Sequence, residues 1–342
     1  MTLHEPSLVA TTGRVVAHFR GRYVVRIGQR DRDGIVSGRF THHATNAMAL
    51  PAVGDFVVIG GSVDDEGVVR IEQILPRKSA FVRKAAGAAT EPQVLAANVD
   101  VAIIASALPH DLSVRRIERY LALAWESGAT PLVVLTKCDL VDDAGATVAE
   151  VQRVAIGVAV LAVSTVDRRG LAELAAQIRP GMTAVLLGSS GVGKSTLINA
   201  LLGAERQRTS AIRGDGTGRH TTTHRELIEL PNGAFLIDSP GLREVQLWTA
   251  DDGVDRSFHD VVSLATRCRF ADCAHETEPG CAVLAAIADG SLASDRLESW
   301  RALRRELAFL ARKQDAAAAA EVKRQTKSLT RLGRARLKEK YD

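Results

Sequence analysis

Residues 188–195 read GSSGVGKS, between the apolar run MTAVLL and the helical run TLINALLG. Glycines at this spacing let a backbone curl until successive N–H groups face phosphate oxygens. A lysine at the seventh place reaches the β- and γ-phosphates, and the serine after it offers a hydroxyl to Mg²⁺. The expectation is a nucleoside triphosphate site built from Gly188, Ser189, Ser190, Gly191, Val192, Gly193, Lys194, Ser195 and Thr196, with Lys194 acting on the transferred phosphoryl group. Residues 238–241 read DSPG directly behind the apolar GAFLI. Asp238 is placed to hold the magnesium shell and the Gly241 N–H to approach the γ-phosphate. Between these segments lies GRHTTT at 218–223. A threonine there would complete the magnesium site beside Ser195 and Asp238; Thr222 is preferred, with Thr221 and Thr223 open.

The base is read upstream. Thr136, Lys137, Cys138 and Asp139 end the apolar run PLVVL. The Asp139 carboxylate can accept two hydrogen bonds from the ring N–H and amino group of guanine, a donor pair adenine lacks; an unpaired buried carboxylate would penalise the wrong base steeply. Lys137 would lie along the base plane. Ser164, closing GVAVLAVS, falls where a loop contacting the guanine oxygen belongs, followed by Thr165. The base-reading segments precede the phosphate loop, the reverse of the usual order, so the sheet is expected to be circularly permuted. Leu242 follows DSPG where many such enzymes carry a water-orienting glutamine. His220, inside the threonine-rich segment, is the candidate to orient or activate the attacking water.

Cys268, Cys273, His275 and Cys281 form C-x4-C-x-H-x5-C. Three thiols and one imidazole close a tetrahedral zinc site with no open position, so one zinc ion would fold this region and catalyse nothing. Four cysteines in 342 residues are too few for a disulfide framework.

The elements around these residues change character along the chain. Residues 1–85 carry short alternating runs, RYVVRIG, GDFVVIG and GVVRIEQIL, studded with arginines. They suit a small RNA-binding barrel of the oligonucleotide-binding type, although periodicity alone leaves other five-stranded barrels open. AAGAATEPQ at 85–93 reads as a linker. Residues 94–248 hold continuous apolar runs separated by helical stretches, the pattern of an α/β sheet with parallel strands and a ligand at their carboxyl ends. Residues 249–342 carry the cysteine cluster, the amphipathic DRLESWRALRRELAFLARK and a tail, 311–342, with ten Lys/Arg against four Asp/Glu. Such a tail suits a polyanion such as RNA. No run approaches the ~18 apolar residues of a membrane span, and no leader-like segment opens the chain; a cytoplasmic monomer without membrane partners is expected.

Taken together, ANVD at 97–100, TKCD, GSSGVGKS, GRHTTT, DSPG and CRFADCAHETEPGC at 268–281 resemble the ribosome small subunit-dependent GTPases A, the RsgA or YjeQ family, over nearly the whole chain. The resemblance implies an N-terminal OB-fold, a circularly permuted P-loop GTPase domain and a C-terminal α-helical zinc domain. It also implies hydrolysis of GTP to GDP stimulated by the small (30S) ribosomal subunit and its rRNA, late in that subunit's maturation. The family's proposed catalytic histidine falls on His220, and Ser164-Thr165 departs slightly from its usual loop. A GTP-operated switch on another RNA, such as tRNA, and an RNA-binding scaffold that no longer hydrolyses GTP are the competing readings.

Overall fold

Val15, Tyr23, Val25, Val57, Ile59, Val69 and Ile71, with half-buried Val36 packed against them, come from five separate runs of the first 74 residues, yet they form one cluster. In this computed structural model, which describes residues 11–19, 21–44, 46–60, 67–84, 92–204, 225–238 and 251–312, those runs are β1 (Thr11–Phe19), β2 (Arg22–Ile27), β3 (Arg30–Val36), β4 (Phe56–Gly60) and β5 (Val69–Ile74). Alternating side chains line the interior while arginines and aspartates face outward. The strands run in the order 1-2-3-5-4, β3 parallel to β5, and β4 returns to pair with β1. This closes a five-stranded barrel of the oligonucleotide-binding kind. Helix α1 (Gly38–His43), capped by the Ser37 hydroxyl, and a short 3-10 turn at Ala47–Ala49 fill the connection from β3 to β4.

β1 does two jobs. Its first half, residues 11–14, pairs with β4. A register shift between Val15 and Ala17 bends it, and Ala17 and His18 then pair with Glu226 and Arg225 of β12 (Arg225–Glu229). The barrel is thereby continuous with a second set of strands in one eleven-stranded sheet.

That second set is β8 (Val101–Ala107), β9 (Thr130–Thr136), β10 (Val160–Val163), β11 (Thr183–Leu187), β12 and β13 (Phe235–Asp238), in the order 10-9-8-11-13-12. All pairings but β12–β13 are parallel. Of the apolar runs expected to be strands buried on both faces, β8 and β11 are buried along their whole length and β9 at all but its first residue, while β10 and β13 are half-buried at two of their four positions each. Their core joins Ile103, Val134 and Leu186 of the sheet to Leu174 of α4 (Leu171–Gln177) and Leu197 of α5 (Lys194–Leu202). α2 (Val114–Glu126) and α3 (Ala144–Gln152) complete the crossovers after β8 and β9.

β6 (Ala80–Lys84) and β7 (Pro92–Ala97) pair antiparallel. The break expected over 85–93 therefore ends sooner than composition suggested, since Pro92 and Gln93 already stand in β7; proline is tolerated as the first residue of a strand. Residues 85–91 lie outside the described residues.

A packed joint links β7 to the barrel. The Asn98 amide donates to the Gly54 carbonyl at 3.1 Å, and Ala97 N–H donates to the Val53 carbonyl at 3.0 Å. Gly54 has φ +97°, and a Cβ there would lie 2.1 Å from the Ala97 carbonyl oxygen. Beside it the Arg14 guanidinium donates to Thr183 Oγ1 at 2.6 Å and lies 5.0 Å from the ring centres of both Phe56 and Phe235. Burial lowers its pKa to about 10.

The chain groups into two units, the first comprising residues 1–247 and 252–259, the second 248–251 and 260–342. Most of α6 (Asp251–Ser257) belongs to the first, where a Cβ on Gly253 would meet the Ala122 carbonyl of α2 at 2.3 Å and Arg256 lies over the Trp125 ring. The second unit holds most of α7 (His259–Ala265), α8 (Ala282–Ala288) and a helix over 294–312, α9. Within it, buried Arg296 makes a two-pronged ion pair with Asp260 at 3.0 and 3.1 Å. Among the described residues no helix is long and apolar enough to cross a membrane.

Candidate nucleotide site and metal centre

Because β8, β9, β10, β11 and β13 are parallel, their carboxyl ends share one edge. Along it stand, in order, Ser164 after β10, residues 136–139 after β9, the turn after β8, the loop 188–193 after β11, and Asp238 at the end of β13. The permuted sequence order thus becomes a single row in space.

The loop after β11 is shaped by its glycines. Gly188 has φ +143°, and a Cβ there would sit 2.4 Å from the Ala105 carbonyl oxygen, so no other residue fits. Gly193, at φ +92°, turns the chain into α5. Lys194 Nζ donates to the Gly188 carbonyl at 2.7 Å and to that of Ser189. Ser195 is half-buried in the first turn of α5, with Thr196 exposed beside it. Exposed Ser190 and Gly191 form the tip, and Val192 is buried.

Residues 136–139 touch this loop directly. Thr136 Oγ1 donates to the Val192 carbonyl at 2.7 Å, and Lys137 Nζ donates to the Gly191 carbonyl at 3.1 Å. Lys137 takes the left-handed conformation, φ +58°, and this turns the chain into the short helix Cys138–Leu140. There Cys138 is buried, which raises its thiol pKa, while Asp139 stays half-exposed. Two carbonyls of the loop are thereby engaged by the segment after β9.

Ser164 is fully buried, and its Oγ accepts from the N–H groups of Val166 at 3.1 Å and Asp167 at 3.3 Å, fixing the turn. Asp167 pairs with Arg169 at 2.7 Å; the Arg169 backbone N–H and then its guanidinium hold the carboxylate below its usual pKa range. Arg169 in turn interacts electrostatically with Asp139. Sequence reading missed Arg169, whose only signal was its place in a loop beside Ser164. Asp238 is half-buried at its strand end. His220, Thr221, Thr222, Thr223, Gly241 and Leu242 lie outside the described residues, as does the tail beyond residue 312.

In the second unit, Cys268, Cys273, His275 and Cys281 converge, their ligand atoms all within 4.8 Å of one another. His275 Nδ1 lies 3.6 Å from Cys268 Sγ and 3.4 Å from Cys281 Sγ; the two sulfurs are 3.9 Å apart. A tetrahedron with ordinary Zn–S and Zn–N bonds has edges of about 3.8 Å between sulfurs and about 3.5 Å between sulfur and nitrogen, so these donors fit that ion. His275 is presented at φ +60° and buried near Trp300, and Arg301 donates to its carbonyl. The Glu278 carboxylate accepts from the N–H groups of Ala274, Glu276 and Thr277. Its own N–H first, then that of Ala274, with those of Thr277 and Glu276, push its pKa down to about 2, so a carboxylate ties the loop carrying His275.

Fold and site together define a P-loop nucleotide-binding protein in which the base-reading strand comes before the phosphate loop. A model of the RsgA GTPase family matches residues 74–248. The small ribosomal subunit biogenesis GTPase RsgA of Streptomyces coelicolor is 48% identical over 336 residues, 96% of this chain and 89% of its own. RsgA 1 of Oceanobacillus iheyensis, of the same descriptive name, is 42% identical over 93% of this chain and 91% of its own. YjeQ from Thermotoga maritima superposes with a TM-score of 0.67 at 25% identity, covering 87% of this chain and 99% of that one. YloQ, a circularly permuted GTPase, gives 0.65 at 24% identity, covering 90% and 98%. This chain belongs to the RsgA GTPase family. It is accordingly a circularly permuted GTP hydrolase that works with Mg²⁺.

Proposed function

We propose that the chain hydrolyses GTP to GDP in response to the small ribosomal subunit, late in that subunit's maturation in the cytoplasm, acting as a monomer. The observation that carries the chemistry is the pair of bonds from Thr136 and Lys137 to the Val192 and Gly191 carbonyls, which couples base reading to phosphate binding. The partner is argued from the names of the relatives, which cover almost all of this chain.

In this reading Asp139 and Lys137 select and bracket guanine, and Ser164 sets the turn that faces its oxygen. Residues 188–196 surround the phosphates with backbone N–H groups, and Lys194 stabilises charge developing on the transferred group. Ser195, Asp238 and Thr222 would hold magnesium, which supplies electrostatic stabilisation of the phosphate oxygens; the Gly241 N–H would serve the γ-phosphate. His220 orients the attacking water in place of the glutamine that Leu242 replaces. We assign RNA binding to residues 1–85, hydrolysis to 94–248, and a zinc-folded module with a basic tail to 249–342. Cys268, Cys273, His275 and Cys281 would hold one zinc ion as a cross-link.

The test is GTP turnover by the purified protein alone and with isolated small subunits, large subunits, whole ribosomes and tRNA, at one stated salt concentration. Acceleration by small subunits above all other additions supports the proposal. An equal response to every RNA, or to tRNA alone, overturns the choice of partner.

A further inference from the structure

β8 and β11 are parallel neighbours, Ile104 standing opposite Leu187, so the turn that follows β8 comes to rest beside the loop that follows β11. That turn carries Asp111, and Asp111 is held in place from several sides. Its N–H donates to the Ala107 carbonyl at 2.9 Å, its carbonyl accepts from Ser106 Oγ at 2.9 Å and from Arg116, and one carboxylate oxygen pairs with Arg116 at 2.8 Å. The other oxygen accepts a hydrogen bond from Ser189 Oγ at 2.7 Å, across 78 residues of sequence. Ser189 is the first residue after Gly188, and its carbonyl accepts from Lys194 Nζ.

We infer that Asp111 is a positioning residue of the phosphate loop: through Ser189 it fixes the loop's first turn and the carbonyl on which Lys194 rests. The inference rests on residues 188–195 being the phosphate site. A hydrogen bond to an ionised acceptor is stronger than one between neutral groups, and a loop ordered before binding loses less entropy when the ligand arrives. The ion pair with Arg116 offsets the negative charge that Asp111 would otherwise present to the phosphates.

The experiment is titration of the full-length protein with fluorescent GDP and a slowly hydrolysed GTP analogue, in Mg²⁺. Asp111→Ala is expected to raise both dissociation constants about tenfold or more, the effect of losing one charged hydrogen bond. Preference for guanine over adenine nucleotides should not change. Asp111→Asn, which keeps an acceptor oxygen, should restore most of the affinity. Ser189→Ala should match Asp111→Ala, and the double variant should be no weaker than either, because both remove the same bond. Wild-type or tighter affinity in Asp111→Ala, or effects that add in the double variant, would overturn the inference. Should Asp111→Ala not fold, Ser189→Ala decides: a tenfold loss supports the role and wild-type affinity removes it. Lys194→Ala separates the underlying reading, since nucleotide binding that survives this change would show that the phosphates lie elsewhere.

Discussion

At the scale of single residues, the nucleotide motifs were legible because each is contiguous: a loop, its glycines and its lysine occupy eight successive positions, and backbone geometry does the rest. Gly188 illustrates this, since its φ of +143° and the Ala105 carbonyl behind it leave no alternative to glycine. Arg169 and Asp111 were not legible. Asp111 bonds Ser189 from a neighbouring turn and Arg169 feels Asp139 only through its charge, and a lone charged residue in a loop gives no periodic signal. The assignment of base reading to Asp139 makes the most direct prediction. Asp139→Asn replaces an acceptor of two hydrogen bonds with a donor and an acceptor, matching xanthine, which carries a carbonyl where guanine carries an amino group. GTP affinity should fall by at least about tenfold, the effect of one unmade hydrogen bond to a charged group, while xanthosine triphosphate is gained as a substrate. Competition between the two nucleotides measures the switch, and unchanged preference would remove Asp139 from the base site.

At the scale of elements, continuous apolar runs foretold β8, β9, β10, β11 and β13, because strands covered on both faces need no polar alternation. The continuation of the barrel into that sheet was not foretold: RELIE is short, and its pairing with Ala17 and His18 depends on a bend in a strand more than two hundred residues earlier. Two predictions belong here. Gly54→Ala should destabilise the protein by at least about 3 kcal/mol, adding a clash with the Ala97 carbonyl to the strain of positive φ, whereas Gly28→Ala, at φ +59° in open space, should cost about 1 kcal/mol from strain alone. Denaturant midpoints compare them, and equal effects would mean that the joint yields easily. The second prediction concerns His18, which stacks on Tyr23 of β2 at 4.7 Å and stands opposite Arg225 of β12. Burial first, and the Arg225 charge second, lower its pKa below 6.5. The fold therefore favours the neutral ring. Its contribution is present above pH 6.5 and is lost as the pH falls from there through the lowered value, because the unfolded chain binds the proton first. The thermal midpoint should drop between pH 7.5 and 5, and His18→Gln should flatten that drop; an identical slope in the variant would assign it to other groups.

At the scale of the whole molecule, the division into two units places the candidate metal site and the nucleotide motifs in different units. The second unit places three thiols and an imidazole around a point, and among its described residues the buried aliphatic ones are Val261 on α7, Val283 and Ala286 on α8, Leu292, and Leu297, Leu303 and Leu307 on α9. That core is small beside the first unit's, and a metal held by the four donors would add a cross-link whose binding energy is folding energy. The first unit has its own large core, running from Val101 to Leu236, and contains every described residue assigned to the nucleotide. Cys273→Ala should therefore release the metal and remove the second unit's cooperative unfolding transition, while the dissociation constant for GDP stays within about threefold, since the first unit carries its own core and every described nucleotide residue. Calorimetry with a metal assay on the same sample reads the first effect, and nucleotide titration reads the second. A variant that keeps its transition without metal would show that the thiols and imidazole pack as an ordinary core; one that loses GDP binding together with the transition would show that the two units fold as one.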